Sequence, residues 1–323
     1  MTDPLPPSKL SLAIGRLALS AGRYPGRRYV GAMHRRLSRG RGGRRFKVVR
    51  PHGITLDAWF SPALPQTREL SPASGRTDAR LPVVIAHGLM ETKERHFKQA
   101  WKLNARGHDV VLFDHRVHGR STGRRLTFGV EEKHDLTAVI DEAHRRGWIG
   151  DRVITLGFSL GGATVLQHAA IDPRVAGVVA LAPFADFRGA INSFRRTLTP
   201  WLDEKWLMDG FDAASAEAGF TVDEASAIKA FKEITVPVLL AEGGRDPFLP
   251  GVDHVHKLAA SKSRDDQRGG HAGGSLEQIT LVRIEQANHN TLVHRHWPKL
   301  DRAIARFCRK VSAASACSQK SPT

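Results

Sequence analysis

Cysteine is scarce in this chain, whose 323 residues include two, Cys308 and Cys317, both close to the end of the sequence. Two thiols in this arrangement form neither a disulfide framework nor the ligand spacing of a zinc site, and nothing around them suggests a cysteine nucleophile. Such cysteine usage is typical of the reducing cytoplasm, where we expect this protein to reside. We also expect no metal ion and no organic cofactor.

Long apolar runs are missing as well. No stretch approaches the roughly 20 apolar residues that a helix needs to cross a bilayer. Residues 11–20 are moderately apolar, but a basic stretch follows them where a secretory signal would have a cleavage site of small residues. The sequence therefore predicts neither a membrane span nor a secretory signal.

Acidic residues are almost absent from the N-terminal part of the chain. Residues 1–50 contain thirteen Lys or Arg and one acid, a net charge of +12, whereas the other 273 residues carry 36 basic and 31 acidic side chains. The excess positive charge thus belongs to a basic N-terminal arm, residues 1–45. Within it, four apolar side chains are spaced to line one side of a short helix: Leu10, Ile14, Leu17 and Tyr24.

Three functions are open for this arm. Its composition favours a solvated arm that packs a helix on the body of the protein. Contact with acidic lipid head groups, which would associate the protein with a membrane surface, is the second alternative. Nucleic acid is disfavoured as a partner, because no zinc finger, RNA-recognition signature or basic strip with interleaved aromatic residues accompanies the charge.

Strand and helix patterns alternate through most of the chain. A strand pair, 46–50 and 54–60, comes first, with a turn at 51–53 between its members. Continuous apolar runs, typical of strands buried on both faces, then alternate with helical patterns. The strands predicted in this part are 82–86, 110–113, 152–157, 175–181, 237–241 and 279–284. This alternation predicts an α/β fold, with a parallel sheet covered by helices on both faces.

Two segments interrupt the alternation. Residues 184–233 are helical and aromatic in places, and a stretch of this length between consecutive strands predicts a lid or cap. Residues 261–275 are rich in glycine and charge and predict a mobile surface insertion. The predicted core then comprises residues 46–183 and 234–312, and residues 313–323 form a C-terminal tail.

The strongest motif is Gly157–Phe158–Ser159–Leu160–Gly161, which fits G-x-S-x-G between a predicted strand and a predicted helix. A serine at such a turn has a strained backbone, so the residues two positions away on each side must lack a Cβ. The turn lifts the hydroxyl of Ser159 clear of the sheet and aims the N–H of Leu160 at the substrate oxygen. A dinucleotide-binding turn is disfavoured, because G-x-G-x-x-G would need glycine where Ser159 stands. We therefore predict that Ser159 is a nucleophile.

A serine nucleophile needs a base and an acid that orients the base. After a G-x-S-x-G turn of this type, the acid and then the histidine follow the serine in the chain, each on a loop past the end of a strand. Asp246 lies in a glycine-containing loop after the last strand but one, and His289 follows the last strand. We predict that His289 is the general base and that Asp246 orients it. Asp186 competes with Asp246 for the place of the acid. His294 and His296 compete with His289, but they lie in a helical pattern and are expected at the surface or in packing.

Two further loops follow strands at the same edge of the predicted sheet. In the first, Gly88 lets the backbone turn so that the N–H of Leu89 is a second oxyanion donor, and His87 is expected to brace the loop by hydrogen bonds. In the second, Asp114 and Arg116 are predicted to hold the loop as an ion pair and to take no part in catalysis.

Together these residues resemble the α/β-hydrolase superfamily, in the branch of bacterial serine esterases, monoacylglycerol-lipase-like enzymes and serine-aminopeptidase-like proteins. The resemblance spans about residues 46–310 and is carried by His87–Gly88, 114–121, Gly157–Gly161, 243–246 and His289. It implies an eight-stranded, mostly parallel sheet with a cap inserted after the sixth strand. The chain departs from the family at two places, the doubled Gly243–Gly244 and Val117, where relatives often have glycine.

The function predicted from these residues is that of a serine hydrolase that cleaves a carboxylic ester through an acyl-enzyme. The aromatic residues of the predicted cap favour a small-molecule substrate with an apolar acyl or alcohol group. A peptidase or thioesterase with the same triad is an open alternative, and so is a non-catalytic binding protein on the same scaffold. Haloalkane dehalogenation is disfavoured, because it needs a carboxylate nucleophile where Ser159 stands.

Overall fold

The computed structural model describes residues 8–23, 42–65, 80–251, 253–267 and 278–318. Its strands are β1 Arg44–Val49, β2 Thr55–Ser61, β3 Val83–Ala86, β4 Val110–Phe113, β5 Val153–Phe158, β6 Val175–Leu181, β7 Val238–Gly243 and β8 Ile279–Ile284. Its α-helices are α1 Lys9–Ala18, α2 Phe97–Asn104, α3 Glu132–Arg145, α4 Leu160–Ala169, α5 Phe187–Leu198, α6 Glu204–Glu217, α7 Ala227–Glu233, α8 Val255–Gln267, α9 His289–Val293 and α10 Trp297–Ser318. In the part of the chain so described, none of the helices combines the length and the apolar character that crossing a membrane requires.

The eight strands form one sheet in the order β1-β2-β4-β3-β5-β6-β7-β8. β1 pairs antiparallel with β2 and β2 pairs antiparallel with β4, whereas every other neighbouring pair is parallel. The predicted α/β fold with an eight-stranded, mostly parallel sheet is therefore confirmed. Because β3 to β8 are parallel, their carboxyl ends lie at one edge of the sheet, and the loops that follow them meet there.

The central strands are buried on both faces, which explains their continuous apolar sequences. Every residue of β3, β4 and β6 is buried. Alternate side chains point to opposite faces, so that Val84 belongs to one hydrophobic core while Val83 and Ile85 belong to the other. Helices α3, α4 and α8 contribute to the first core, and α2 and α10 contribute to the second.

Helix α8 contradicts part of the prediction that residues 261–275 form a mobile surface insertion. Residues 261–267 belong to this helix, and residues 268–277 lie outside the described residues. Leu258 of α8 is wholly buried, and the ammonium of Lys262 donates hydrogen bonds to the carbonyl oxygens of Phe231 and Ile234 at the end of α7. The lysine thus provides a donor for carbonyls that a helix end leaves without intrahelical partners. The prediction is wrong for residues 261–267, because they continue a helix that packs on the body in spite of their charged composition.

Helix α1 packs on α6, and the face that it buries is not its most apolar one. Leu10 and Leu17 are 64% and 72% exposed, whereas Gly15 is buried. A Cβ at Gly15 would lie 2.6 Å from the carbonyl oxygen of Gly210, so the close crossing of the two helices requires glycine. The predicted helix is present, but the small residues Ser11 and Gly15 make its close contact with α6, while Leu19 after the helix is buried in the core. Tyr24, also predicted for this helix, lies outside the described residues.

The predicted ion pair between Asp114 and Arg116 is wrong. Asp114 accepts hydrogen bonds from the ammonium and the backbone N–H of Lys93, at 2.7 and 2.9 Å, while Arg116 pairs with Asp135 of α3 at 2.7 Å. Lys93 is buried, so its charge needs carboxylates close by. Although burial opposes that charge, Asp114 and two further carboxylates raise the pKa of Lys93.

His108, between α2 and β4, makes the stability of the fold depend on pH. Its side chain is buried, its Nδ1 donates to the carbonyl oxygen of Leu81 at 2.7 Å, and burial lowers its pKa to about 4. An unfolded histidine has a pKa of about 6.5, so unfolding takes up a proton once the pH falls below that value. The stability that this neutral histidine contributes is therefore complete above its unfolded pKa and is lost as the pH falls towards about 4.

We expect the variant His108→Asn to lose less stability in acid than the wild type, because the asparagine amide donates to Leu81 but does not titrate. The difference between the two free energies of unfolding should change by about 3 kcal/mol between roughly pH 7.5 and pH 4. Urea unfolding at several pH values measures this difference, in which the titration of the other groups cancels. Parallel stability profiles for the two proteins would contradict the prediction.

Candidate active site

Ser159 occupies the sharp turn between β5 and α4. Its backbone has φ 53° and ψ −115°, a conformation that L-residues rarely adopt. A Cβ at Gly157 would lie 2.1 Å from the carbonyl oxygen of Gly161, and a Cβ at Gly161 would lie 2.1 Å from that of Ala86. Both glycines of the motif are therefore required sterically, and the turn presents the serine at the edge where the parallel strands end.

Three side chains from separate loops meet at this edge. His289 Nε2 lies 3.0 Å from Ser159 Oγ, and His289 Nδ1 lies 2.6 Å from Asp246 Oδ2. All three residues are buried. The structure thus brings together the serine, histidine and aspartate that the sequence singled out, although the histidine is 130 residues from the serine and 43 from the aspartate.

Asp246 has one oxygen available for the histidine. Its Oδ1 accepts the backbone N–H groups of Phe248 and Leu249, both at 3.0 Å. Its Oδ2 faces His289 Nδ1, so the hydrogen-bond network assigns the imidazole proton to Nδ1 and leaves Nε2 as an acceptor. In this tautomer the histidine is able to take a proton from Ser159.

His289 is positioned by its place at the start of α9. Asn288 caps this helix, since its side-chain oxygen accepts the backbone N–H of Thr291 at 2.9 Å. The imidazole also has two aromatic neighbours, Phe158 and Phe248, whose ring centroids lie 5.0 and 6.1 Å from its own. The helix cap fixes the backbone and the two rings restrict the orientation of the imidazole.

The competing residues have other partners. Asp186 caps α5 by accepting the N–H of Gly189 at 2.6 Å, and His294 accepts a hydrogen bond from the guanidinium of Arg95 at 2.9 Å. His296 lies in the turn before α10. Over the described ranges, no group of three or more His, Cys, Asp or Glu residues is placed to hold a metal ion.

The two residues predicted to be oxyanion donors, Leu160 and Leu89, both lie in the neighbourhood of Ser159. Leu160 is the first residue of α4, so its N–H has no acceptor within the helix and lies at the positive end of the helix dipole. Leu89, in the loop after β3, lines the same cavity as Ser159 and Leu160.

Buried histidines hold the loop after β3. His87 Nδ1 donates to the carbonyl oxygen of Gly88 at 2.7 Å, and its Nε2 accepts the N–H of His115 at 3.0 Å. The N–H of Met90 donates to His118 Nε2 at 3.1 Å. Burial, reinforced by the two neighbouring imidazoles, lowers the pKa of His87 well below its usual value, so the ring is neutral. His87 thus braces the loop as predicted, with His115 and His118 as partners that the sequence did not reveal.

A cavity of about 330 Å³ opens beside Ser159. Its lining is almost wholly apolar and comes from the loops after β3 and β5, from helices α5 and α6, and from α1. Phe187, Phe194 and Leu207 are among the lining residues. The volume and the apolar character are those of a site for a small ligand with a hydrocarbon part.

Sequence reasoning missed the contribution of the N-terminal segment to this cavity. Ile14, Ala18 and Ala21 line it, although the segment was predicted as an arm outside the core. A signal was present, because positions i, i+4 and i+7 fall on one side of a helix. Two of the three residues are alanines, however, and such small side chains contribute little to the hydrophobic pattern of a sequence.

Comparison with known proteins relates part of the chain to hydrolases. A family model described as serine aminopeptidase, S33, matches residues 77–211. Over 191 residues, the chain is 27% identical to an uncharacterized protein of Bacillus subtilis. The aligned region covers 56% of this chain and 59% of that protein. Over 102 residues, it is 36% identical to a monoacylglycerol lipase of Mycolicibacterium smegmatis. This aligned region covers 30% of this chain and 35% of that protein. The chain thus spans less than two thirds of the length of these relatives.

The fold also matches solved structures. An esterase of Pyrococcus furiosus superposes with a TM-score of 0.63, over 86% of this chain and 93% of that protein. The sequence identity of this pair is 16%. The similarity therefore concerns the fold, which extends over most of both chains.

Proposed function

We propose that the chain is a member of the α/β-hydrolase superfamily and that it is a serine hydrolase that cleaves carboxylic esters. The observation that carries the proposal is the hydrogen-bonded series of Ser159, His289 and Asp246 beside an apolar cavity. A serine hydroxyl is a weak nucleophile at neutral pH, and an adjacent imidazole activates it by taking its proton. The 3.0 Å distance between His289 Nε2 and Ser159 Oγ suits this transfer.

The reaction has two halves. In the first, Ser159 Oγ attacks the ester carbonyl as His289 Nε2 takes the hydroxyl proton. The bond between the carbonyl carbon and the alcohol oxygen then breaks, His289 returns the proton to that oxygen, and the acyl group stays on Ser159. In the second half, water attacks the acyl-enzyme while His289 takes a proton from it, and that proton returns to Ser159 as the acid leaves. Asp246 keeps the imidazole in the required tautomer and stabilises the imidazolium.

The negative charge that develops on the carbonyl oxygen needs donors of its own. We assign this function to the backbone N–H groups of Leu89 and Leu160, two residues that line the same cavity as the nucleophile. Backbone donors are fixed before the reaction begins, so they need no reorganisation as the charge forms. Each donor of this kind is worth about 2.7–4 kcal/mol of transition-state stabilisation.

Residues 184–233 act as a cap over the site in this proposal, with the hydrolase core at 46–183 and 234–312. Helices α5 and α6 of this segment supply much of the cavity lining, including Phe194 and Leu207. A hydrocarbon chain in the cavity removes apolar surface from water, and each buried methylene contributes about 0.8 kcal/mol. The substrate proposed is therefore an ester with an apolar acyl chain. Two similar proteins that are named as an esterase and a monoacylglycerol lipase support this substrate class.

A fluorophosphonate probe tests the nucleophile directly, because it forms a covalent bond with an activated serine. We expect one label per native chain, located by mass spectrometry in the peptide that contains Ser159, and no label after heat unfolding. Labelling at a different serine, or no labelling of the native protein, would overturn the assignment.

A substrate panel separates ester hydrolysis from the alternatives that share its triad. p-Nitrophenyl esters, acyl thioesters and aminoacyl p-nitroanilides are compared on one preparation of the full chain. We expect kcat/KM to be highest for the esters. A preference for the anilides would identify a peptidase instead, and a labelled protein that turns over none of them would refute the proposed ester substrates.

A further inference from the structure

We propose that the N-terminal segment, residues 8–22, is a wall of the substrate cavity and that Ile14 and Ala18 determine the length of acyl chain that the enzyme accepts. The inference rests on the proposed function, because the cavity is assigned to the acyl group. It goes beyond that function, since it places substrate selection in a segment that precedes the hydrolase core in the chain.

The helical positions of α1 divide it into three strips. Ile14 and Ala18 face the cavity, and Ala21, just beyond the helix, continues their line. Gly15 lies on the adjacent strip, which contacts α6. Ala13 is exposed on the opposite side. The segment therefore has one side for the substrate, one for the body and one for solvent.

The segment is fixed to α6 on one side. A Cβ at Gly210 of α6 would lie 2.2 Å from the carbonyl oxygen of Ser11, so the two backbones are in direct contact. Arg16 forms two hydrogen bonds to the carboxylate of Glu217, at 2.6 and 2.8 Å. This ion pair is exposed and contributes little by itself, so the close backbone crossing is what holds α1 against the cap.

The C-terminal end of the segment is fixed to the hydrolase core. Leu19 is wholly buried, and its carbonyl oxygen accepts the N–H of Leu126 at 2.8 Å. A Cβ at Gly22 would lie 2.4 Å from the ring of His118, the residue that accepts the N–H of Met90. Contacts with both the cap and the core keep Ile14 and Ala18 at a constant distance from the serine, as a determinant of chain length requires.

A tryptophan at position 18 should shorten the cavity. For the variant Ala18→Trp we expect kcat/KM for p-nitrophenyl decanoate to fall by about 60-fold, because the cavity should bury about three methylenes fewer and each of them costs about fourfold. The loss should grow with chain length, so the ratio of kcat/KM for p-nitrophenyl decanoate to that for p-nitrophenyl acetate should fall as well. The matched control is Ala13→Trp, the same substitution on the solvent side of the same helix, for which we expect the wild-type profile at every chain length.

A substitution that enlarges the cavity tests the same wall by the opposite change in volume. Its result does not depend on whether Ala18→Trp folds. For Ile14→Ala we expect the preferred acyl chain to become longer by about two methylenes, with Leu17→Ala, at a residue 72% exposed, as its control. Chain-length profiles that stay at the wild-type optimum in Ile14→Ala and in any folded Ala18→Trp would overturn the inference while leaving ester hydrolysis intact. A wild type that turns over no ester of any length would instead refute the proposed function, and this inference with it.

Discussion

Replacing Ser159 with alanine is expected to lower kcat for ester hydrolysis by about 10⁶-fold, the loss that follows removal of the nucleophile from other triad enzymes. The variant keeps the cavity and the backbone donors, so binding of the substrate should change little. Alanine also accepts the backbone conformation of this turn as well as serine does, because both residues carry a Cβ at the same positive φ of 53°. The free energy of unfolding should therefore stay close to that of the wild type.

Initial rates with p-nitrophenyl butyrate, together with urea unfolding, measure both expectations for Ser159→Ala. His294→Gln serves as the control, because this histidine hydrogen-bonds Arg95 and lies outside the proposed triad. We expect its activity to stay within about threefold of the wild type. A Ser159→Ala protein that is folded and retains more than a hundredth of the activity would show that the reaction does not depend on this hydroxyl.

The meeting of the three side chains of the candidate site was predictable from sequence, because local rules place each of them. Ser159, Asp246 and His289 each follow a strand that is recognisable by a short apolar run. Once the strands are parallel, their carboxyl ends share one edge, so residues that are far apart in the chain come together without any knowledge of side-chain packing. Gly157 and Gly161 are constrained by backbone atoms within the turn and next to it, and the motif records that constraint.

The ion pairs were not predictable in the same way. Asp114 and Arg116 are two residues apart, and sequence alone suggested that they pair with each other. In the structure, Asp114 binds the buried Lys93 and Arg116 binds Asp135. A buried ammonium competes for the carboxylate most strongly, and only the fold determines which lysine is buried beside it.

Helix α1 shows the limit of hydrophobic patterning. Leu10 and Leu17 are exposed, while its close crossing with α6 is made by Gly15 against Gly210, 195 residues further along the chain. A glycine that is needed for a close helix crossing cannot be distinguished by pattern from one that merely occurs in a helix. The wall of the cavity at Ile14 was hidden for the same reason, since it depends on where this crossing places the helix.

Replacing Asp246 with asparagine is expected to lower kcat by about 10⁴-fold, through the tautomer of the histidine. Oδ1 of Asp246 accepts two backbone N–H groups, so the amide oxygen of the asparagine must take that position. The amide NH₂ then faces His289 Nδ1, which has to accept and can no longer carry the proton. The proton moves to Nε2, and the imidazole is unable to take the proton of Ser159.

Asp186→Asn is the matched control, the same chemical change at the competing acid. Asparagine caps a helix about as well as aspartate, so the cap of α5 and the activity should be preserved within about threefold. The loss in Asp246→Asn should fall on kcat, because the side chain lies behind the histidine and does not line the cavity. Steady-state kinetics of the two variants decide between the acids, and a large loss in Asp186→Asn with near-normal turnover in Asp246→Asn would reverse the assignment.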